Sequence, residues 1–176
     1  MQTYISILRS INVSGQKKIL MADLKTLIET LEFKEVFTYI QSGNVVFKSD
    51  GNLPDMGLAK KIEAAIEKKY GFQVPVIIRN IEELDKVISN NPFLAIEKLH
   101  VTFLSQAPKE NNIKSIENID FSPDRFFIKG KEVFLHIPES YGETKLSNKF
   151  FENKLKVTAT TRNWKTVNKL FEIASG

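Results

Sequence analysis

Basic side chains set among asparagine amides in a loop are the residue types that grip an anion, and this chain has two such stretches. The first is Arg9-Ser-Ile-Asn12-Val-Ser-Gly15-Gln-Lys17-Lys18, a connection longer than a tight turn needs. Its guanidinium and ammonium groups, with backbone amides near Gly15, could hold a phosphate or carboxylate. The second is Thr160-Thr-Arg162-Asn163-Trp-Lys-Thr166, read as a turn before the last helix. A helix start offers unpaired N–H groups and partial positive charge, which Arg162 and Lys165 reinforce. A third stretch, Gln41-Ser42-Gly43-Asn44, has the composition of a hairpin turn and lies between two strand-like runs.

Other chemistries lack their residues. There is no Gly-Lys-Ser/Thr ending and no Gly-x-Gly-x-x-Gly, so neither nucleotide fingerprint is met. Zero Cys rules out disulfides, thiolate catalysis and thiolate zinc sites. His100 and His136 are the only histidines and each falls in or beside a strand-like run, where a structural role is the default. No Gly-x-Ser-x-Gly and no His-Glu-x-x-His occurs. Glu82 and Glu83 are accounted for by the start of a helix.

These loops need elements to carry them. Tyr4–Leu8 reads as a strand, and Leu24, Leu27, Ile28 and Leu31 form a helical stripe. Val36–Ile40 and Asn44–Phe47 read as a hairpin. Leu58, Ile62, Ala65, Ile66 and Tyr70 mark a second helix stopped at Gly71, and Val74–Ile78 a fourth strand. That order, β-α-β-β-α-β, is the split unit of ferredoxin-like folds. Asn80 followed by Glu83 is a variant capping box that opens a connecting helix, ended by Asn90-Asn91-Pro92.

The second half repeats the layout with a strand over 99–104, a short helix over 110–116 and a hairpin closed by Gly130-Lys131. Two helical patterns follow, around Leu146–Leu155 and Trp164–Ala174, with Trp164 expected in the core. The architecture expected is α+β: two ferredoxin-like β-α-β-β-α modules in tandem, closed by a C-terminal helix. Residues 1–90 form the first with its connecting helix, and 91–176 form a second, incomplete one with basic C-terminal helices. A single larger α+β sheet is the alternative.

The net charge of +4 is unevenly spread. Thr144–Leu170 holds seven basic residues against the single acid Glu152, a net of +6, which leaves the remainder at −2. An anionic partner suits that end. No apolar run reaches the ~20 residues of a membrane span and no signal-peptide layout opens the chain, so a soluble cytoplasmic protein is expected.

Three passages together resemble the domain of unknown function 1697 family, an uncharacterised bacterial family. They are Leu8-Arg-Ser-Ile-Asn-Val-Ser-Gly15 with its trailing lysines, Thr38-Tyr-Ile-Gln-Ser-Gly-Asn-Val-Val-Phe47, and Thr160-Thr-Arg-Asn-Trp-Lys-Thr166. The chain departs from the family in having Ser10 and Ser14 where glycines are usual, and Glu143 where a basic residue is common. The resemblance implies two small α+β modules and supplies no activity.

The function expected is a binding module for a small anionic ligand or an acidic partner, in a cleft between loop 9–18 and the turn 160–166. Its ligand-binding residues would be Arg9, Asn12, Lys17, Lys18, Gln41, Ser42, Asn44, Arg162, Asn163 and Thr166. No catalytic or metal-binding residue and no cofactor is assigned. One alternative is a single-stranded nucleic-acid-binding protein with Tyr4 and Phe47 as sheet aromatics, although the Lys/Arg-Gly-aromatic signature is missing. Another is an enzyme using carboxylates, Tyr39 or Tyr141 in a site that only the fold assembles.

Overall fold

Tyr4, Ile5 and Ile7, aromatic and β-branched, make the N-terminal run a strand, and its two neighbours decide which side of it faces a core. A computed structural model describes all residues from Met1 to Gly176. It is a mixed α+β structure with two four-stranded antiparallel sheets and six helices. The chain forms two compact units, Met1–Lys86 with Lys169–Gly176, and Val87–Asn168.

In the first unit β1 (Gln2–Leu8), β2 (Lys34–Tyr39), β3 (Asn44–Ser49) and β4 (Val76–Asn80) lie in the order β2-β3-β1-β4. Tyr4 stands opposite Phe47 on one side and Asn80 on the other, so one set of alternate residues shares a face. Tyr4, Leu8, Val45, Phe47, Val76 and Ile78 pack there against α1 (Met21–Glu29) and α2 (Asp55–Tyr70). The helices contribute Leu24 and Ile28, and Leu58, Ile62 and Ile66, each at four-residue spacing. Phe33 and Tyr4 both stack on the Phe47 ring, at centroid distances of 4.5 and 5.8 Å. Gly71, left-handed at φ 77°, ends α2 and donates its N–H to Glu67 O.

Several strand ends differ from expectation, and two of the shifts place residues of interest. β2 ends at Tyr39, because Ile40 turns to φ +48° and leaves the ladder. β4 is displaced two residues toward the C-terminus and takes in Arg79 and Asn80, which pair with Ile5 and Tyr4. Asn80 then caps α3 (Ile81–Ser89) reciprocally: its Oδ1 accepts from Glu83 N at 2.8 Å, and its N–H donates to Glu83 Oε2 at 2.9 Å.

The second unit contains β5 (Leu99–Leu104), α4 (Glu110–Lys114), β6 (Arg125–Lys129), β7 (Glu132–His136), α5 (Asn148–Leu155) and β8 (Ala159–Asn163). The last helix is α6 (Trp164–Ser175). The sheet order β6-β7-β5-β8 repeats that of the first sheet. The Thr160–Thr166 stretch is therefore not a turn: Thr160–Asn163 belong to a strand paired with β5, and Trp164–Thr166 to the first turn of α6. The β-branched threonines fit that strand, and what hides it in the sequence is Arg162, a charge at a position that the fold buries.

Leu104, Val133, Leu135 and Ala159 of this sheet pack with Phe151 and Leu155 of α5. Phe121, Phe126, Phe150 and Phe151 join them through edge-to-face contacts at 5.2–6.1 Å. No helix in the chain is long and apolar enough to cross a membrane.

Candidate functional site

The long connection after β1 is a miniature hairpin. Asn12 N donates to Lys17 O at 3.1 Å and Gln16 N to Val13 O at 2.9 Å, closing a two-residue turn at Ser14-Gly15. Both turn residues are left-handed, with φ of 51° and 72°, as a type I′ turn requires. Ser10, Asn12 and Lys17 are left-handed too, at 58°, 55° and 48°. Ser10 and Ser14 thus hold the left-handed backbone that glycine adopts most readily. Ser10→Gly combined with Ser14→Gly is expected to raise the unfolding free energy by about 1 kcal/mol, as left-handed strain is relieved against some added chain entropy. Urea denaturation measures it.

Asn12 braces this loop. Its Nδ2 donates to Ile19 O at 3.0 Å and to Gln41 O at 2.9 Å, and its Oδ1 accepts from Ile19 N at 2.8 Å. The side chain therefore ties the loop's return and the β2–β3 hairpin to one point. Gly43 sits beside it: Leu8 N donates to Gly43 O at 2.9 Å, and the buried Ile11 packs over the glycine. Asn44 is fully buried and donates to Tyr39 O and Ser42 Oγ, so it shapes the hairpin from within. Ile40, a β-branched residue at positive φ, is strained next to this junction.

The basic residues differ in their freedom. Arg9 donates through Nη1 to Ser10 Oγ at 2.9 Å, and Lys17 Nζ reaches Gln73 O at 2.7 Å. Lys18 is exposed. No acidic residue occurs between Arg9 and Met21. Arg9, Asn12, Lys17, Lys18, Gln41, Ser42 and Asn44 thus all lie in the first unit, and the Asn12 bonds draw loop and hairpin together.

Arg162, Asn163 and Thr166 lie in the second unit. Arg162 is buried; its Nη1 donates to Thr160 Oγ1 at 3.0 Å and to Thr161 O at 2.9 Å. Burial pushes its guanidinium down to about 10, an effect that Tyr141 opposes, and the group stays charged at neutral pH. Asn163 starts α6: its Oδ1 accepts from Thr166 N at 2.8 Å. Thr161 contacts Thr102 Oγ1 at 2.7 Å and donates to Asn148 Oδ1. Trp164 is half-buried at the helix start.

Sequence reasoning passed over Arg79, which is 1% exposed and donates through Nη1 to the preceding carbonyl, Ile78 O, at 2.9 Å. This is the Arg162 arrangement again. The signal was an Arg-Asn dipeptide standing before a helix twice, Arg79-Asn80 and Arg162-Asn163.

Tyr4 and Phe47 are buried under the helices of the first unit and offer no ring to a base. His100 stacks on Tyr141 at 4.9 Å and burial holds its ring below the usual histidine range; His136 stacks on Phe93 at 5.8 Å. Asp120, Asp124, Glu139 and Glu143 line a recess of about 340 Å³ in the second unit. The Asp120 carboxyl is held below its usual range by the Ser122 hydroxyl and amide, and Asp124 accepts from Thr144.

No curated protein matches the chain. Among solved structures it is similar to the conserved bacterial protein SP0830 from Streptococcus pneumoniae, at 25% identity and a TM-score of 0.77, covering 98% of each chain. Residues 1–134 match the family described as a protein of unknown function, DUF1697. With that match over most of its length, including the braced loop and the hairpin that it grips, the chain belongs to the DUF1697 family.

Proposed function

We propose that the protein is a binding module for a small anionic ligand or an acidic partner, with its site on loop 9–18 and the adjoining tip of the β2–β3 hairpin. The observation that carries this reading is the uncompensated charge on a rigid frame. Lys17 and Lys18 have no carboxylate partner, and the Ser14 and Gly15 main-chain N–H groups are not used by the loop's own bonds. Asn12 fixes the backbone that presents them, so little ordering entropy opposes binding. The nucleic-acid reading lacks an aromatic platform once Tyr4 and Phe47 are in the core.

The same reading takes the modules at 1–90 and 91–176 as ferredoxin-like, from the strand order that each sheet repeats. A cytoplasmic, bacterial setting fits the lack of cysteine and the streptococcal relative.

A thermal-shift panel of inorganic phosphate, nucleotides and small carboxylic acids tests the binding. A ligand at about 100 times its Kd should add about 2.7 kcal/mol, seen as a rise of roughly 5–10 °C. Lys18→Glu should abolish that rise and leave the melting point of the free protein in place, because the side chain is exposed. Absence of any shift across the panel overturns the proposal.

A further inference from the structure

The two sheets end differently at their hairpin edges. In the first, β2 is blunted: its register with β3 breaks between Lys34 and Phe37, Glu35 is left-handed at φ +48°, and Glu35 pairs with Lys48 at 2.7 Å. A bulge and a charge are the usual means of stopping an edge from pairing with another chain. In the second sheet β6 occupies the corresponding edge and has neither a bulge nor a left-handed residue. Its five residues pair with β7 without a break, from Arg125 opposite His136 to Lys129 opposite Glu132.

The Gly130-Lys131 turn fixes which main-chain groups of β6 are already used. Its closing pair is Lys129 and Glu132, and in a two-residue hairpin the closing residues exchange hydrogen bonds. Phe127 and Arg125 follow at two-residue intervals. The N–H and C=O of Phe126 and Ile128 consequently face outward, away from β7. Arg125, Phe127 and Lys129 share the sheet face opposite to the one that Phe126 and Ile128 give to the core; all three are exposed, Phe127 by 45%. Arg125 lies over the Phe93 ring at 5.2 Å, and a groove of about 450 Å³ runs alongside, with Pro92, Phe93 and Ile119 and the carboxylates of Glu117, Asp120 and Asp124 in its walls.

We propose that the β6 edge takes an extended peptide segment as a fifth strand of the second sheet, an apolar residue meeting Phe127 and carboxylates flanking it to meet Arg125 and Lys129. Strand addition supplies main-chain bonds to Phe126 and Ile128, and alternate side chains supply selectivity. The charges also argue against a second copy of this chain as occupant. Antiparallel self-pairing centred on Phe127 would set Arg125 against the other copy's Lys129 at both ends, and like charges directly opposite one another destabilise a ladder. This surface is independent of the loop in the first unit.

The test uses the full chain and two fluorescent peptides, Thr-Glu-Thr-Val-Thr-Glu-Thr and its counterpart with Lys in place of each Glu. Fluorescence anisotropy should show a preference of about tenfold for the Glu peptide. The double variant Arg125→Glu/Lys129→Glu should reverse it, and Phe127→Lys should weaken both peptides while leaving the melting point within a few degrees of the parent. Amide exchange at Phe126 and Ile128 should slow on saturation with the Glu peptide. The proposal is overturned if the two peptides bind alike or not at all, if charge reversal leaves the preference standing, or if those two amides stay unprotected. Sedimentation that shows self-association abolished by Phe127→Lys would also overturn it, in favour of a second copy.

Discussion

Gly43→Ala is expected to cost about 3 kcal/mol of stability, lowering the melting temperature by roughly 6–12 °C. Two effects add. Gly43 holds φ +90°, and an L side chain there meets the steric penalty of left-handed backbone, about 1–2 kcal/mol. A methyl at that position would also stand 2.7 Å from Ile11 Cδ1 and 2.9 Å from Leu8 Cβ. The isoleucine can rotate its terminal methyl. Leu8 Cβ cannot give way without moving β1, whose Leu8 N–H is bonded to Gly43 itself. Gly71→Ala is the internal comparison: its φ is 77°, but nothing lies within 4 Å of the added carbon, so only the backbone penalty of about 1 kcal/mol remains. Equal losses at the two positions would show that the close approach of hairpin and β1 carries no weight.

Asn12→Ala should cost about 2–3 kcal/mol and abolish anion binding without removing a cation. The substitution deletes two donors and one acceptor at once and leaves the N–H of the buried Ile19 without its acceptor. The loop's return then loses its attachment to the hairpin, and a ligand would have to order it. Asn12→Asp separates bracing from charge. It keeps an acceptor for Ile19 N, but it sets a carboxylate against the carbonyls of Ile19 and Gln41, and it should lose most of the same stability. Urea denaturation gives the stability change, and the phosphate thermal shift gives the binding. A full ligand response in Asn12→Ala would mean that the frame is irrelevant to recognition.

Local rules carried much of the fold into the sequence. The Asn80–Glu83 box, the Gly71 stop and the Gly130-Lys131 hairpin each depend on residues within a few positions of one another, and each formed as its residue types require. What escaped depended on distant partners. β8 is a strand because β5 lies beside it, and Arg162 looks like solvent-facing charge until its own strand supplies acceptors at Thr160 and Thr161. Arg79 was overlooked for the same reason. In the candidate site, the basic residues were visible as an anion-binding composition. Asn12 reads in the sequence as a ligand contact, whereas its carboxamide is spent on Ile19 and Gln41, a role set by a hairpin some thirty residues away.

The twin Arg-Asn junctions and matching strand orders make the halves of this chain two renderings of one plan, and one place where the renderings part company is the first connection. Between its first strand and first helix the N-terminal rendering carries Arg9–Leu20, while its counterpart crosses in Ser105–Lys109. The loop proposed above as the anion site therefore has no counterpart of its length in the second half.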